Sequence, residues 1–395
     1  MSKSVQSVSV VHVADLHLGS PFSALPAARA ATRRDEQERT FYDVIHLCRE
    51  RRAQILLIAG DLLDAVRVSD EKKRVLVRAF SEIPETRVFI SPGNHDPYIR
   101  QCPYETEEWP SNVHIFKGDF EPVYCEELNT VVWGAAFRGL RQTSTLCPPD
   151  FHISSVGTPR PEAIHLIVLH GELVSGRKGT SSYNPIQPSW IEKSGADYVA
   201  LGHIHDPTPI LRAGRTGYAY SGCPEARGYD EPGPRGIYVG TVGKGRTELE
   251  YIHLNKRNFY TLDVPVDGCD TQAELTDTVR RFLCSEHPDD FEKSAFRVTL
   301  TGAVPPDFSP DPAALRNVLR TSCFDARVYD RTTARIDPEK LGKEKSIRGV
   351  FIHLLLKDRE EAVAKGDTER VMRIDAAMKL GLASFEKEVR YREDY

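Results

Sequence analysis

The chain has 395 residues, 40% of them hydrophobic and 28% charged, which predicts two to three ordered domains and excludes wholesale disorder and fibrous repeats. Its 52 basic and 57 acidic residues give a net charge of −5, which excludes a globally basic nucleic-acid-coating protein but leaves room for a local basic groove. No apolar run reaches the ~18 residues of a membrane span, and residues 1–14 lack the long apolar core of a signal peptide, so a non-membrane, mature chain is expected.

The first two-thirds of the chain repeats one theme, a short apolar run followed by a tight polar turn. Residues 8–14 (VSVVHVA) end at Asp15, and residues 55–59 (ILLIA) end at Gly60-Asp61. Residues 88–91 (VFIS) end at Pro92-Gly93-Asn94, residues 164–169 (IHLIVL) at His170, and residues 198–201 (YVAL) at Gly202-His203. Such Val-, Ile- and Leu-rich runs predict strands covered on both faces. Helices are predicted between them. Residues 35–52 place Phe41, Val44, Ile45 and Cys48 on one face, and Ser69 is a predicted N-cap for a helix carrying Val75, Leu76, Ala79, Phe80 and Ile83. The alternation predicts an α/β layered domain, with ligands gathered at the carboxyl ends of its strands.

Beyond residue 258 the pattern changes. Strands are predicted at 259–264, 296–300 and 326–329, with helices from the Thr271/Glu274 capping box to about 284 and around 315–319. This is a small βαβαβ unit. From Asp337 onward only helices are expected. Ile347, Val350, Phe351, Leu354 and Leu355 make one apolar stripe; Val371, Ile374, Met378, Leu382, Phe385 and Val389 make another, beyond the Gly366-Asp367 break. The stripes either dock on their own domain or accept a partner helix. The predicted boundaries are 1–257, 258–336 and 337–395. The eight cysteines form no C-x-x-C pair, which predicts reduced thiols in a cytoplasmic protein.

The chemistry sits in the five strand-end clusters: Asp15-Leu16-His17, Gly60-Asp61-Leu62-Leu63-Asp64, Gly93-Asn94-His95-Asp96, His170-Gly171-Glu172 and Gly202-His203-Ile204-His205. Each alone is weak, and His12, inside the first strand, reads as a packed core histidine. Together they deliver imidazole, carboxylate and amide oxygen with no thiolate, a set suited to Mn²⁺, Fe²⁺ or Zn²⁺. So many ligands exceed one ion and suit two, with one carboxylate bridging.

In this order, the clusters resemble those of the calcineurin-like metallophosphoesterase superfamily: D-x-H, GD-x-x-D, GNHD, a strand-end His and GH-x-H. The opening from His12 to Phe22 and the run Tyr220-Ser221-Gly222-Cys223-Pro224-Glu225 resemble its SbcD- and YhaO-type DNA repair exonucleases. The resemblance implies a metallophosphoesterase β-sandwich flanked by helices, a small capping domain that helps position DNA, and a C-terminal helical segment. It assigns one metal to Asp15, His17, Asp61 and His205, and a second to Asp61, Asn94, His170 and His203. Mn²⁺ is the first expectation. His95 is the implied non-ligand catalytic histidine, with Asp96 orienting its ring. Asp64 stands where many of the nucleases carry His.

The resemblance further implies exonuclease action on duplex ends and endonuclease action on single strands, a partnership with an SMC-like ATPase of the SbcC type through the terminal helices, and homodimerisation. Arg100 follows the Gly93-Asn94-His95-Asp96 turn, Arg138 and Arg141 follow the apolar run 131–137, and Arg177 and Lys178 follow His170-Gly171-Glu172; all five are candidate DNA contacts, because Arg and Lys grip phosphates. The alternative is a phosphodiesterase or phosphatase acting on a small molecule or phosphoprotein, since the same ligand set serves both.

Overall fold

The computed structural model describes residues 7–155, 160, 162–174, 176, 180–335 and 337–386. The chain divides into two compact units, Met1–Thr261 with Glu292–Phe296, and Leu262–Phe291 with Arg297–Tyr395.

The first unit is built on two six-stranded sheets. One runs in the order Arg246–His253, Gly236–Gly243, Ser7–Val13, Ile55–Ile58, Arg87–Ile90, Val113–Ile115. The other runs Leu211–Ala213, Thr216–Tyr220, Tyr198–Gly202, Ile164–His170, Thr130–Gly134, Glu121–Cys125.

The period of two in the strands sorts their side chains into layers. Val8, Val10, Ile55 and Leu57 meet Leu166, Val168, Tyr198 and Ala200 between the sheets. Val11, Val13, Leu56 and Ile58 face the other way, onto Phe41, Val44, Ile45 and Phe80 from the helices Ala27–Glu50 and Asp70–Ser81. Ile167, Leu169, Val199 and Leu201 meet Trp190 and Ile191 of the helix Pro188–Ser194. The result is the helix-flanked sandwich expected. His12 is a core residue as read, its ring within 2.9 Å of the Tyr198 hydroxyl and 3.2 Å of the Leu201 carbonyl.

The first long helix begins at Ala27, eight residues before the apolar pattern starts. Its early turns bury polar groups instead. The Arg33 guanidinium is fully buried and donates to Glu225 at 2.7 Å, to the Ala226 carbonyl at 2.8 Å and to Glu36. Ser69 caps the next helix by accepting the Lys72 N–H, as expected.

The three-stranded sheet Phe259–Pro265, Ala295–Thr301, Asp325–Asp330 alternates with the helices Gln272–Glu286 and Pro312–Leu319. The Thr271/Glu274 capping box is present. The helices Ile347–Ala364 and Thr368–Glu386 pack through Ile352, Ala362, Ile374, Met378 and Leu382. Of the first stripe, Phe351 and Leu355 pack against this cluster, while Ile347, Val350 and Leu354 are exposed and Ile352 is the buried contact; of the second, Phe385 is exposed. Val389 lies outside the described residues. All eight cysteines are unpaired, and seven are buried. Among the described residues, no helix is long and apolar enough to cross a membrane.

Arg33→Met should lower unfolding stability by about 3–5 kcal/mol, because it leaves Glu225 buried without its cation. Urea unfolding measures this, and an unchanged midpoint would show that the pair is dispensable.

Candidate metal centre

Parallel pairing aligns the strand ends. Val13 pairs with Ile58 and Ile58 with Ile90, so the turns carrying Asp15, Asp61 and Asn94 leave one edge together. In the facing sheet Gly202 pairs with His170. Hydrogen bonds extend the ladders past the strands: Asp15 N–H donates to the Gly60 carbonyl at 3.0 Å and His17 N–H to the Asp61 carbonyl at 2.8 Å. Two glycines permit the convergence. A Cβ on Gly202 would lie 1.8 Å from the Ala59 carbonyl, and one on Gly60 would lie 2.3 Å from His170 Nδ1. Asp15, His17, Asp61 and His203 themselves hold left-handed φ angles of 53°, 47°, 48° and 100°. Non-glycine residues do so only where their surroundings impose it.

The side chains cluster around Asp61, which lies in one group with His17 and His95 and in another with Asp15 and His170, their donor atoms within 4.8 Å. Asp15, His17 and His205 bring their donor atoms within 4.8 Å of one another. His17 Nε2 is 3.2 Å from His205 Nε2 and 3.6 Å from Asp61 Oδ2. On the other side, His170 Nε2 lies 3.5 Å from the same Asp61 oxygen and 2.9 Å from Asn94 Oδ1. His203 Nδ1 lies 3.2 Å from that Asn94 atom. The seven residues assigned to metal by the resemblance are therefore brought together.

Tautomers decide what such a cluster accepts. The Nδ1–H of His17 donates to Asp64 at 2.9 Å, and that of His205 to Glu231 at 2.5 Å. Both Nε2 atoms then present lone pairs to each other. The His170 Nδ1–H donates to the Ala59 carbonyl at 3.0 Å, so its Nε2 lone pair faces the Asn94 oxygen. Acceptors aimed at acceptors fit divalent cations, and the carboxylates behind the imidazoles fix their orientation. Burial lowers the pKa of His17 to about 4, of His170 to about 3 and of His203 to about 4, which favours the neutral imidazole that a metal ligand requires. Burial also lowers the pKa of His205, but Glu231 and Asp15 outweigh it and raise the net value, as a site that attracts positive charge would.

His95 donates its backbone N–H to Asp61 Oδ1 at 2.9 Å, while its ring is 40% exposed. The ring's partner is not Asp96. Asp96 accepts from the backbone N–H groups of Gly93 at 2.8 Å and Leu63 at 3.0 Å, and from the Tyr104 hydroxyl at 2.5 Å, so it holds the turn rather than the imidazole. The partner is Asp64, whose Oδ1 lies 3.0 Å from His95 Nδ1, and this hydrogen bond raises the His95 pKa. Burial pushes the Asp64 pKa up, but hydrogen bonds from His17, His95 and Ser20 outweigh it and keep the group ionised.

Glu231 and Arg227 are further site residues that the sequence did not single out. Arg227 Nη1 is 3.5 Å from Asp64 Oδ1, and its Nη2 is 3.3 Å from His205 Nδ1. Both residues lie in a polar loop without periodicity, so no local signal marks them. Of the candidate DNA contacts, Arg138 pairs with Asp119 at 3.2 Å, and Arg100 and Arg141 are exposed. Among the described residues, none of these three bonds to the cluster; Arg177 and Lys178 lie outside the described residues.

The calcineurin-like phosphoesterase family pattern matches residues 8–207. The metallophosphoesterase YhaO of Bacillus subtilis is 32% identical over 62% of this chain and 60% of its own. The DNA double-strand break repair protein Mre11 of Methanopyrus kandleri is 26% identical over 69% of this chain and 62% of its own. The SbcD component of the nuclease SbcCD of Bacillus subtilis is 23% identical over 57% of this chain and 63% of its own. The matches thus span about three-fifths of the length of these relatives. The chain belongs to the calcineurin-like phosphoesterase family, and a phosphoester hydrolase is the activity that membership indicates.

Asp61→Ala should remove a ligand from both groups and deplete divalent metal, read by elemental mass spectrometry after dialysis. Undiminished metal content would contradict the shared role. Asp64→Ala should weaken metal affinity about 10–100-fold by releasing the His17 ring; titration calorimetry checks this, and unchanged affinity would contradict it.

Proposed function

We propose that this chain is a metal-dependent DNA nuclease, cutting duplex ends exonucleolytically and single strands endonucleolytically in DNA repair. The observation that carries the reading is the pair of ligand groups sharing Asp61, beside a partly exposed His95 held by Asp64. The names of the Mre11 and SbcCD relatives support DNA as the substrate. Asp15, His17, Asp61 and His205 hold one cation and Asp61, Asn94, His170 and His203 the other, with Mn²⁺ the favoured ion and Fe²⁺ or Zn²⁺ the alternatives.

When bound, two such cations supply Lewis-acid polarisation of the phosphoryl group and lower the pKa of the attacking water. The chain's own residues do the rest. Asp64 anchors His95 through Nδ1, which leaves Nε2 to donate a proton to the leaving oxygen. The hydrogen bond that raises the His95 pKa also favours the protonated form this step requires.

The proposed layout is a nuclease domain over 1–257, a DNA-positioning cap over 258–336 and a partner-binding segment over 337–395. The exposed Ile347, Val350 and Leu354 support a partner helix on that segment, as an SMC-like ATPase of the SbcC type would provide.

The test offers end-labelled duplex DNA, single-stranded DNA and bis-p-nitrophenyl phosphate to the Mn²⁺-loaded protein, with Asp61→Ala as control. DNA degradation that vanishes in the control is expected. Turnover of the small diester alone would favour a small-substrate phosphodiesterase. His95→Ala should keep its metal yet lose roughly 10²–10⁴-fold in rate; metal loss in that variant would make His95 structural.

A further inference from the structure

Three arginines reach the loop that follows Tyr220, and they are used differently. Arg33 and Arg235 are fully buried and committed. Arg33 bonds Glu225 and the Ala226 carbonyl at 2.7 and 2.8 Å. Arg235 bonds Asp206 at 2.8 Å and also the His205 carbonyl. These are ordinary lengths for hydrogen bonds from a guanidinium.

Arg227 is not committed in this way. Its side chain is 29% exposed, and among the described residues none of its guanidinium contacts is shorter than 3.3 Å. Nη1 is 3.5 Å from Asp64 Oδ1, and Nε is 3.5 Å from Glu231 Oε1 and makes no hydrogen bond among the described residues. Nη2 is 3.3 Å from His205 Nδ1, but that nitrogen spends its proton on Glu231 and has no lone pair to offer when Nε2 is the ligand atom. Among the described residues, the guanidinium thus keeps N–H donors in hand at the edge of the candidate metal centre.

The Arg227 backbone is nevertheless held in place. Glu231 accepts the Arg227 backbone N–H at 2.5 Å and the His205 ring N–H at 2.5 Å, so one carboxylate sets both the arginine and a metal-ligand candidate. Asp64 Oδ1 is reached by both His95 and Arg227, which puts the proposed proton donor and the guanidinium on the same carboxylate oxygen.

The geometry points to Arg227 as the residue that grips the non-bridging oxygens of the substrate phosphoryl group. A planar fork with free donors matches two such oxygens, and a phosphodiester brings the negative charge to meet it. Arg227 is then a substrate-binding residue, whichever molecule carries the phosphate. The inference rests on phosphoester hydrolysis and is independent of DNA as the substrate.

The test measures inorganic phosphate binding to the Mn²⁺-loaded protein by titration calorimetry, with metal content determined on the same samples. Arg227→Met should bind phosphate on the order of 10–100-fold more weakly while keeping its metal. Arg227→Lys, which keeps the charge and loses the fork, should fall between the two. For bis-p-nitrophenyl phosphate, KM should rise more than kcat falls. Unchanged phosphate affinity in both variants would overturn the assignment. So would parallel loss of metal and phosphate in both, which would make Arg227 a strut for His205. A protein that loses phosphate affinity on substitution but never cuts DNA would keep this inference and overturn the nuclease reading. DNA cleavage with unchanged phosphate affinity would do the reverse.

Discussion

The centre depends on backbone held where side chains ordinarily forbid it. Asp15, His17, Asp61 and His203 all take positive φ at the ends of parallel strands. Each such residue costs on the order of 1–3 kcal/mol. The cost is met by the packed sheets beneath, whose ladders continue into the turns through the Asp15–Gly60, His17–Asp61 and Leu18–Leu62 backbone bonds. Without that lacing the ligands would scatter. With it, donor atoms from two sheets meet within a few ångströms, at the close approach that Gly202 permits.

A second layer then tells each imidazole what to be. Asp64, Glu231 and the Ala59 carbonyl take the Nδ1 protons of His17, His205 and His170 and leave the Nε2 lone pairs turned inward. Burial keeps His17, His170 and His203 neutral, while Glu231 and Asp15 favour charge at His205. Asp64 has a further task, because it also holds His95. One carboxylate thus ties a metal-ligand candidate, the proposed proton donor and Arg227 together.

The strands and their terminal motifs were legible because they are local: an apolar run and the turn after it lie within ten residues. His12 was legible for the same reason, as a polar residue inside such a run. What the sequence hid is what comes from elsewhere. Asp96 adjoins His95, yet in the turn its carboxylate faces Leu63, Gly93 and Tyr104, and the ring's partner comes from the neighbouring strand end. Glu231 and Arg227 reach His205 from a loop more than twenty residues downstream. The first helix starts early because its opening turns are alanine-rich, a strong helix former, while the Arg33 network interrupts the apolar stripe. In the helix Ile347–Ala364, apolar residues occur on most sides, so spacing alone did not select Ile352 as the buried contact.

The central claim is that these side chains form two cation sites joined by Asp61. Anomalous diffraction from crystals grown with Mn²⁺ tests it most directly. Two peaks are expected, one among Asp15, His17 and His205 and one among Asn94, His170 and His203, with Asp61 contacting both. A single peak, or one seated between Cys223 and Glu231, would contradict it.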